Sequence, residues 1–381
     1  MSTPTVVVVG AGPVGLTAAL TLARRGIAVT VLEQGAELAT ESRASTFHPP
    51  TLEMLRDLGV LDALLHQGIV ASTFQYRERG GGEIATLDLA VLAEDTPFPF
   101  RVQCEQSKLT PLLLEALGAA DVRFGYRVDG LLSTADAVVL RTAKGPVRAN
   151  WVIGADGAHS AVRHGLGVEF GGSTYPERFL VASVEEDLAD VLPGVAPINY
   201  VFDPDEWLVL LRTPEHWRVL LPTPADSDDA NELRRLPDRL AAVADLGRPW
   251  RIAHATLYRV HQRVADRFRH GRVLLIGDAA HVNNPLGGLG MNSGIHDAVQ
   301  LASALADVIE GGPEARLDEV AAHRHRVAVD HVQRTSHDNW NRLRGDDASH
   351  REQLRELAAD PVAARTYLRR ACLLDSLEIR P

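Results

Sequence analysis

The chain has almost no cysteine and almost no lysine. Cys104 and Cys372 are its two cysteines in 381 residues. Two are too few for a disulfide framework or for a four-cysteine zinc site. The expectation is a reducing, cytoplasmic compartment and no bound metal. Lys108 and Lys144 are the only lysines, so arginine carries the positive charge. Basic residues are outnumbered, 39 Lys plus Arg against 50 Asp plus Glu, a formal charge of −11. That balance argues against nucleic acid and against an anionic membrane surface as partners. No apolar run survives inspection as a membrane span. The uncharged stretch from Thr5 to Ala23 has the length, but Gly10, Gly12, Pro13 and Gly15 interrupt it. Met1-Ser2-Thr3-Pro4 lacks the basic segment of a signal peptide. There is no internal repeat and no low-complexity linker.

What remains is a globular composition, 45% hydrophobic and 23% charged. The length predicts two domains or one large interrupted fold. It leaves room for one dinucleotide domain and a modest partner, hardly for two dinucleotide domains and a substrate domain. The uncharged stretch splits into a buried strand, Val6 to Val9, a turn, Gly10 to Gly15, and a helix from Leu16 to Arg25. Gly26 ends the helix and Ile27 to Leu32 forms a second strand, completing a βαβ unit. In Gly10-x-Gly12-x-x-Gly15 the first glycine allows the tight turn. The second admits a pyrophosphate to the backbone, and the third lets helix and strand pack closely. The helix N-terminus offers unpaired N–H groups to the diphosphate. Glu33 closes the second strand, where its carboxylate accepts a ribose 2′-hydroxyl and repels a 2′-phosphate. The pocket therefore suits FAD or NAD rather than NADP.

Further elements follow from periodicity. Helices are expected at Pro50 to Leu58, Leu61 to Gln67 and Ser107 to Leu117, and a hairpin at Thr73 to Leu89 around Gly80-Gly81-Gly82. Trp151 to Ile153 and Val273 to Ile276 read as short buried strands. Phe179 to Tyr258 reads as an antiparallel sheet with Pro-rich turns. From Asn292 onward the pattern is nearly all helical, with breaks near Gly311-Gly312-Pro313 and Gly345-Asp346-Asp347. His350 to Arg370 is expected to form one long helix, and His323-Arg324-His325-Arg326 a solvated helix face.

Two later motifs decide the family. Gly154-Ala155-Asp156-Gly157-Ala158-His159-Ser160-Ala161-Val162-Arg163 follows one short strand. Gly277-Asp278-Ala279-Ala280-His281 follows another, and Pro285-Leu286-Gly287-Gly288-Leu289-Gly290-Met291-Asn292 runs into a helix. With the glycine turn before them, they make the chain resemble the class A flavoprotein aromatic hydroxylases, the family of para-hydroxybenzoate hydroxylase and phenol hydroxylase, over about residues 4 to 310. The resemblance implies an α/β fold. A glutathione-reductase-type, Rossmann-like FAD domain (1–72, 99–175 and 261–312) would interleave with a smaller antiparallel-sheet substrate domain (73–98 and 176–260). A helical segment, 313–381, would follow in place of the thioredoxin-like domain of larger members.

It also implies FAD held by Gly10, Gly12, Gly15, Glu33, Arg43, Arg101, Gln106, Asp156, Asp278, Pro285, Gly288, Gly290, Met291 and Asn292. Asp278 would accept from a ribityl hydroxyl, and the helix near Asn292 would aim its N-terminus at the flavin N1–C2=O edge. NADH or NADPH would visit transiently as reductant, since no second glycine fingerprint follows a strand. Reaction of the reduced flavin with O2 would give a C4a-hydroperoxide, which hydroxylates a phenolic or polycyclic substrate in a dry pocket. Substrate contacts are expected at Thr46, Tyr200, Leu210, Arg212 and Leu286, and His48 and His281 are the candidate bases. Val282-Asn283-Asn284-Pro285 departs from the usual Pro-Pro loop and adds polarity there. The absence of any Trp-x-Trp excludes a flavin-dependent halogenase. A drug-inactivating or epoxidising monooxygenase stays open, as does a non-catalytic flavin-binding protein, in a monomer or a homodimer.

Overall fold

The computed structural model describes residues 5–40, 44–80, 82–345 and 348–378. Its centre is the strand Val6–Val9, buried along its whole length. Four β-branched side chains in a row suit a strand covered on both faces. It pairs in parallel with Val29–Glu33 on one side and Trp151–Gly154 on the other. Asp121–Phe124 and Val273–Leu275 extend the sheet in parallel, and Arg269–His270 adds a short antiparallel edge, six strands in all. The parallel strands deliver their carboxyl ends to one rim. Gly10, Glu33, Ala155 and the turn Gly277–Ala279 sit there together. An open parallel sheet binds its ligands at that rim.

A second sheet has eight strands. Two of them, Phe170–Val184 and Ile252–Ala265, are long and pair antiparallel. They run across the expected boundaries at residues 175 and 260. Trp217–Pro224, Leu208–Arg212 and Ile198–Phe202 continue the sheet, and the hairpin Thr73–Glu78 with Gly82–Asp88 closes it. Gly81, one of the glycines expected at the hairpin turn, lies outside the described residues. One face carries Leu180, Ala182, Leu208, Leu210, Val219 and Leu221, packed with Leu236 and Leu240 of the helix Asp229–Ala241. That helix is capped by Asp228, which accepts from Asn231 N at 3.0 Å. Sequence periodicity did not predict it, nor the three-stranded sheet Val128–Ser133, Val138–Thr142 and Val147–Ala149.

The helix Leu289–Ile309 lies against Pro13–Arg24 and supplies the interior with a charge. Asp297 is fully buried. One of its oxygens accepts from Arg324 Nε at 2.7 Å. The other lies 2.7 Å from His281 Nε2 and accepts from Gly277 N at 3.2 Å. Arg324 Nη2 reaches Ser293 Oγ at 3.0 Å, and His281 stacks on Phe268. Burial pushes the Asp297 carboxyl up, but Arg324 and His281 outweigh it and hold it below the usual 3.8. The 323–326 segment is therefore not a solvated face. Arg324 and His323 are buried, and His325 meets Phe268 edge-on. The helix Glu314–Val327 turns that side inward because the carboxylate is there to receive Arg324.

The expected helix from His350 to Arg370 is two helices, Ala348–Ala359 and Pro361–Ala371. Pro361 has no N–H to continue the first and drives residue 360 out of the helical region. Asp360 takes an extended conformation and caps the second helix through Val362 N and Ala363 N, at 2.9 and 3.2 Å. Arg365 and Arg369 of that helix both grip Asp95. Asp346 and Asp347, at the expected break, lie outside the described residues. Among the described residues no helix is long and apolar enough to cross a membrane.

Replacing Asp297 by Asn should cost about 3–5 kcal/mol, because it strands the buried Arg324. The stabilisation from the lowered carboxyl is complete above its unfolded value of 3.8 and fades as pH falls through the lower folded value. Urea unfolding at pH 7 and at pH 3 measures both, and the variant should lose stability at pH 7 while showing less of the acid decline.

Candidate functional site

One cavity of about 1490 Å³ runs between the rim of the parallel sheet and the inner face of the antiparallel sheet. Pockets for a single small ligand hold roughly 300–1,000 Å³, so this one has space for an extended dinucleotide and a second molecule. At the rim, Gly10 has φ +105°, and a Cβ there would meet Ala155 O at 2.5 Å. The turn is therefore closed to other residues on one side. Gly12 is the opposite case. A Cβ at Gly12 would meet nothing within 4 Å, yet the residue lines the cavity. The helix it begins, Pro13–Arg24, has no side-chain cap and no acid in its first turn. Its orphan N–H groups and positive dipole end are left for an anion. Gly15 does not line the cavity; a Cβ there would strike Gly10 O at 2.0 Å. It lets the helix approach the turn.

Glu33 lines the same end. Its two oxygens each accept one backbone N–H, from Ala11 and from Gly35, both at 2.8 Å. The carboxylate is fixed in place with lone pairs to spare. Asp156 also lines the cavity, but accepts from Ser160 Oγ at 2.5 Å and Val162 N at 3.1 Å. Burial pushes its carboxyl up against those bonds. Arg163 had no role assigned from sequence. It is buried, donates to Ala158 O at 2.8 Å and Ala279 O at 2.9 Å, and stacks over Phe170. It thereby ties the Asp156 loop to the Asp278 loop.

Gln106, Asp278, Pro285, Gly288, Gly290 and Met291 all line the cavity. The helix Leu289–Ile309 opens there on Gly288, left-handed at φ +68° and without a side-chain cap. Asn292 is not on the wall, although expected as a cofactor ligand. Its fully buried amide donates to Thr46 O at 2.8 Å and Gly288 O at 2.7 Å, and accepts from His48 N at 2.9 Å. One turn into the helix its side chain points back into the protein, where it holds the loops that form the wall. Arg43 lies outside the described residues.

Neither candidate base reaches the cavity. His48 sits behind the loop with Nε2 at 2.9 Å from Gly287 O, and burial holds its pKa well below the usual 6.5. His281 is bound to Asp297, as described above. Thr46, Tyr200, Leu286 and Arg101 do line the cavity. Leu210 and Arg212 do not. Side chains alternate along a strand, so a step of one residue changes the face. Val209 and Leu211 face the cavity, and Leu210 faces the core behind the sheet. Arg212 lies over Trp217 and 3.7 Å from Asp187. Arg218, Leu220 and Tyr258 are wall residues that the sequence did not single out. The parity of the partner strands was the available signal, since Leu220 pairs with Val209. The unusual loop polarity is partly consumed. Asn284 binds the Tyr175 hydroxyl, Ser336 O and Leu286 N at 2.9–3.0 Å. Among the described residues no group of His, Cys, Asp or Glu is placed to hold a metal ion.

Two open helix N-termini and a fixed carboxylate on one elongated cavity suit a flavin dinucleotide. The comparisons with known proteins agree. A family described as FAD binding domain matches residues 3–335, and the chain belongs to it, among the class A flavoprotein monooxygenases: FAD- and NAD(P)H-dependent enzymes that hydroxylate aromatic compounds. Within that family the chain is 36% identical over 382 residues to para-nitrophenol 4-monooxygenase of Pseudomonas sp. (strain WBC-3), covering 95% of this chain and 94% of that protein. It is 35% identical over 349 residues to 6-hydroxy-3-succinoylpyridine 3-monooxygenase HspB of Pseudomonas putida (strain DSM 28022 / S16), covering 89% and 88%. The crystal structure of p-nitrophenol 4-monooxygenase from Pseudomonas putida DLL-E4 matches with a TM-score of 0.91 at 34% identity, over 98% of both chains.

The two glycines of the turn predict different outcomes. Gly10→Ala should destabilise the fold, because both φ and the Ala155 contact oppose it. Gly12→Val should fold normally and lose FAD, because its side chain would enter the cavity. Urea midpoints and the flavin content of purified protein separate the two effects.

Proposed function

We propose that this enzyme hydroxylates a single-ring phenol, with FAD along the parallel-sheet rim and the phenol against the antiparallel sheet. The observation that carries the proposal is the continuity of the cavity, from the Gly10–Gly12 turn to an apolar wall of Val181, Val209, Leu211 and Leu220. The likeness to two enzymes whose names give single-ring substrates, para-nitrophenol and a hydroxypyridine, supports the same size class here. When bound, FAD supplies two-electron transfer from NADH or NADPH to O2 and delivery of one oxygen atom to the ring.

The chain's own residues do the positioning. Gly12 and the following helix end take the pyrophosphate, and Glu33 accepts from the ribose. Gln106 and Asp278 face the ribityl chain. The helix start at Gly288 to Met291 presents backbone N–H groups to the flavin edge that gains negative charge on reduction. Asn292 and Arg163 hold those loops in register from behind. The apolar wall keeps water from the reacting oxygen. In this reading the FAD domain comprises 1–72, 99–175 and 261–312. The substrate domain comprises 73–98 and 176–260, with the two long strands shared across their border. The helical segment 313–381 closes the far side.

Asp278→Ala should lose FAD during purification, and full retention would refute the ribityl role. Glu33→Ala should weaken FAD binding by about 1–3 kcal/mol, the scale of a charged hydrogen bond. Fluorescence titration with FAD measures both. For the reaction, 4-nitrophenol should stimulate NADH or NADPH oxidation with stoichiometric ring hydroxylation. Stimulation with only H2O2 released would contradict the substrate assignment.

A further inference from the structure

Arg101 was expected among the FAD contacts, but its neighbours belong to the substrate side of the cavity. Its guanidinium lies 4.6 Å above the Phe74 ring, and Nη2 makes a 3.6 Å contact to Cys372 Sγ. Phe74 and Cys372 pack in the cluster that includes Tyr76, Tyr200 and Leu286. The residue is 2% exposed and lines the cavity. Its Nε has no hydrogen-bond partner.

Arg101 differs from the other buried arginines in the partners its guanidinium is given. Arg324 has Asp297, and Arg239 has Glu232 and Glu206 at 3.1 and 2.6 Å. Arg163 and Arg77 pair with no carboxylate, but their terminal nitrogens donate to oxygen acceptors. The groups that face Arg101 are the Cys372 thiol, the Tyr200 and Tyr367 phenols and the His48 ring. Among the described residues Arg101 makes no ion pair with a carboxylate. Burial pushes the Tyr200 phenol up to about 12, so it stays neutral at working pH. A buried cation without a counter-charge is costly. One that opens on a ligand cavity is relieved when the ligand brings the charge.

We propose that Arg101 is the anion anchor of the substrate site, pairing with the ionised hydroxyl of the aromatic substrate while Tyr200 stands beside it as a neutral hydrogen-bonding group. This rests on the reading above that the cavity takes a phenol. It makes Arg101 a specificity residue. It selects rings that carry an acidic hydroxyl and binds them as the phenolate, the electron-rich form that oxygen transfer needs. No proton-accepting side chain is then required at the ring, which accords with both candidate histidines lying off the cavity.

The test uses the FAD-loaded enzyme without reductant. Titration with 4-nitrophenol across pH gives the pKa of the bound ligand from its phenolate absorption. The expected result is a bound pKa at least one unit below that of free 4-nitrophenol, a tenfold preference for the anion. 4-Nitroanisole, which cannot ionise, should bind at least tenfold more weakly. Arg101→Met should abolish the shift and the preference, and Arg101→Lys should keep part of both. A bound pKa equal to or above the free value overturns the proposal on the native enzyme alone, whether or not the variants fold. Retention of the shift in Arg101→Met overturns it as well. If aromatic compounds are turned over with no preference for the ionised form, the site reading stands and the Arg101 assignment falls. If no aromatic compound stimulates NAD(P)H oxidation, both fall.

Discussion

Asp297 is a carboxylate with no access to water, and the geometry of the flavin end of the molecule hangs on it. A lone buried carboxylate would be driven to its neutral form. Arg324 on one side and His281 on the other keep it charged. The carboxylate and its two partners come from three separate stretches of chain: the helix Leu289–Ile309, the helix Glu314–Val327 and the turn after Val273–Leu275. Because the same carboxylate also receives the N–H of Gly277, it sets where Asp278 meets the cavity. A histidine in the Gly-Asp motif thus serves the fold rather than the chemistry.

The same economy recurs around the cavity. At the flavin end several wall positions are glycines, and side chains that hold their loops lie one layer behind. Asn292 joins Thr46, His48 and Gly288, so it couples the loop after the second strand to the start of the long helix. Arg163 couples the two strand-end motifs. Removing such a residue moves a wall without touching a ligand. Burial also settles the histidines. His296 is held to about 3 by burial, and His48 is likewise held down, so both stay neutral across the working pH range. Neither offers a titration that would shape a pH–rate profile.

The parallel sheet and its site were legible in the sequence because each signal is local. Strand, glycine turn, helix and terminal acid follow one another within residues 6 to 33, and the rim they build is the rim observed. The antiparallel sheet was legible as a class but not in register. Leu208-Val209-Leu210-Leu211 is apolar on both faces, so its pattern carries no alternation to say which face meets the cavity. Only the pairing with Trp217–Pro224, and the helix Asp229–Ala241 behind it, decide that Val209 looks in and Leu210 out. The 323–326 segment failed for a related reason. Its charges look solvated until Asp297, twenty-seven residues away from Arg324, is brought against it. Helix breaks were read well at glycines but missed at Asp360-Pro361, where the cap and the proline act together.

A single cavity joining a flavin rim to an apolar, arginine-anchored wall is the claim on which the account stands. Its most direct test is the origin of the oxygen in the product. Turnover of 4-nitrophenol with isotopically labelled dioxygen in ordinary water, read by mass spectrometry of the hydroxylated ring, should place one labelled atom in each product molecule. Product carrying unlabelled oxygen from water, or an unchanged ring with all reducing equivalents recovered as H2O2, would contradict it.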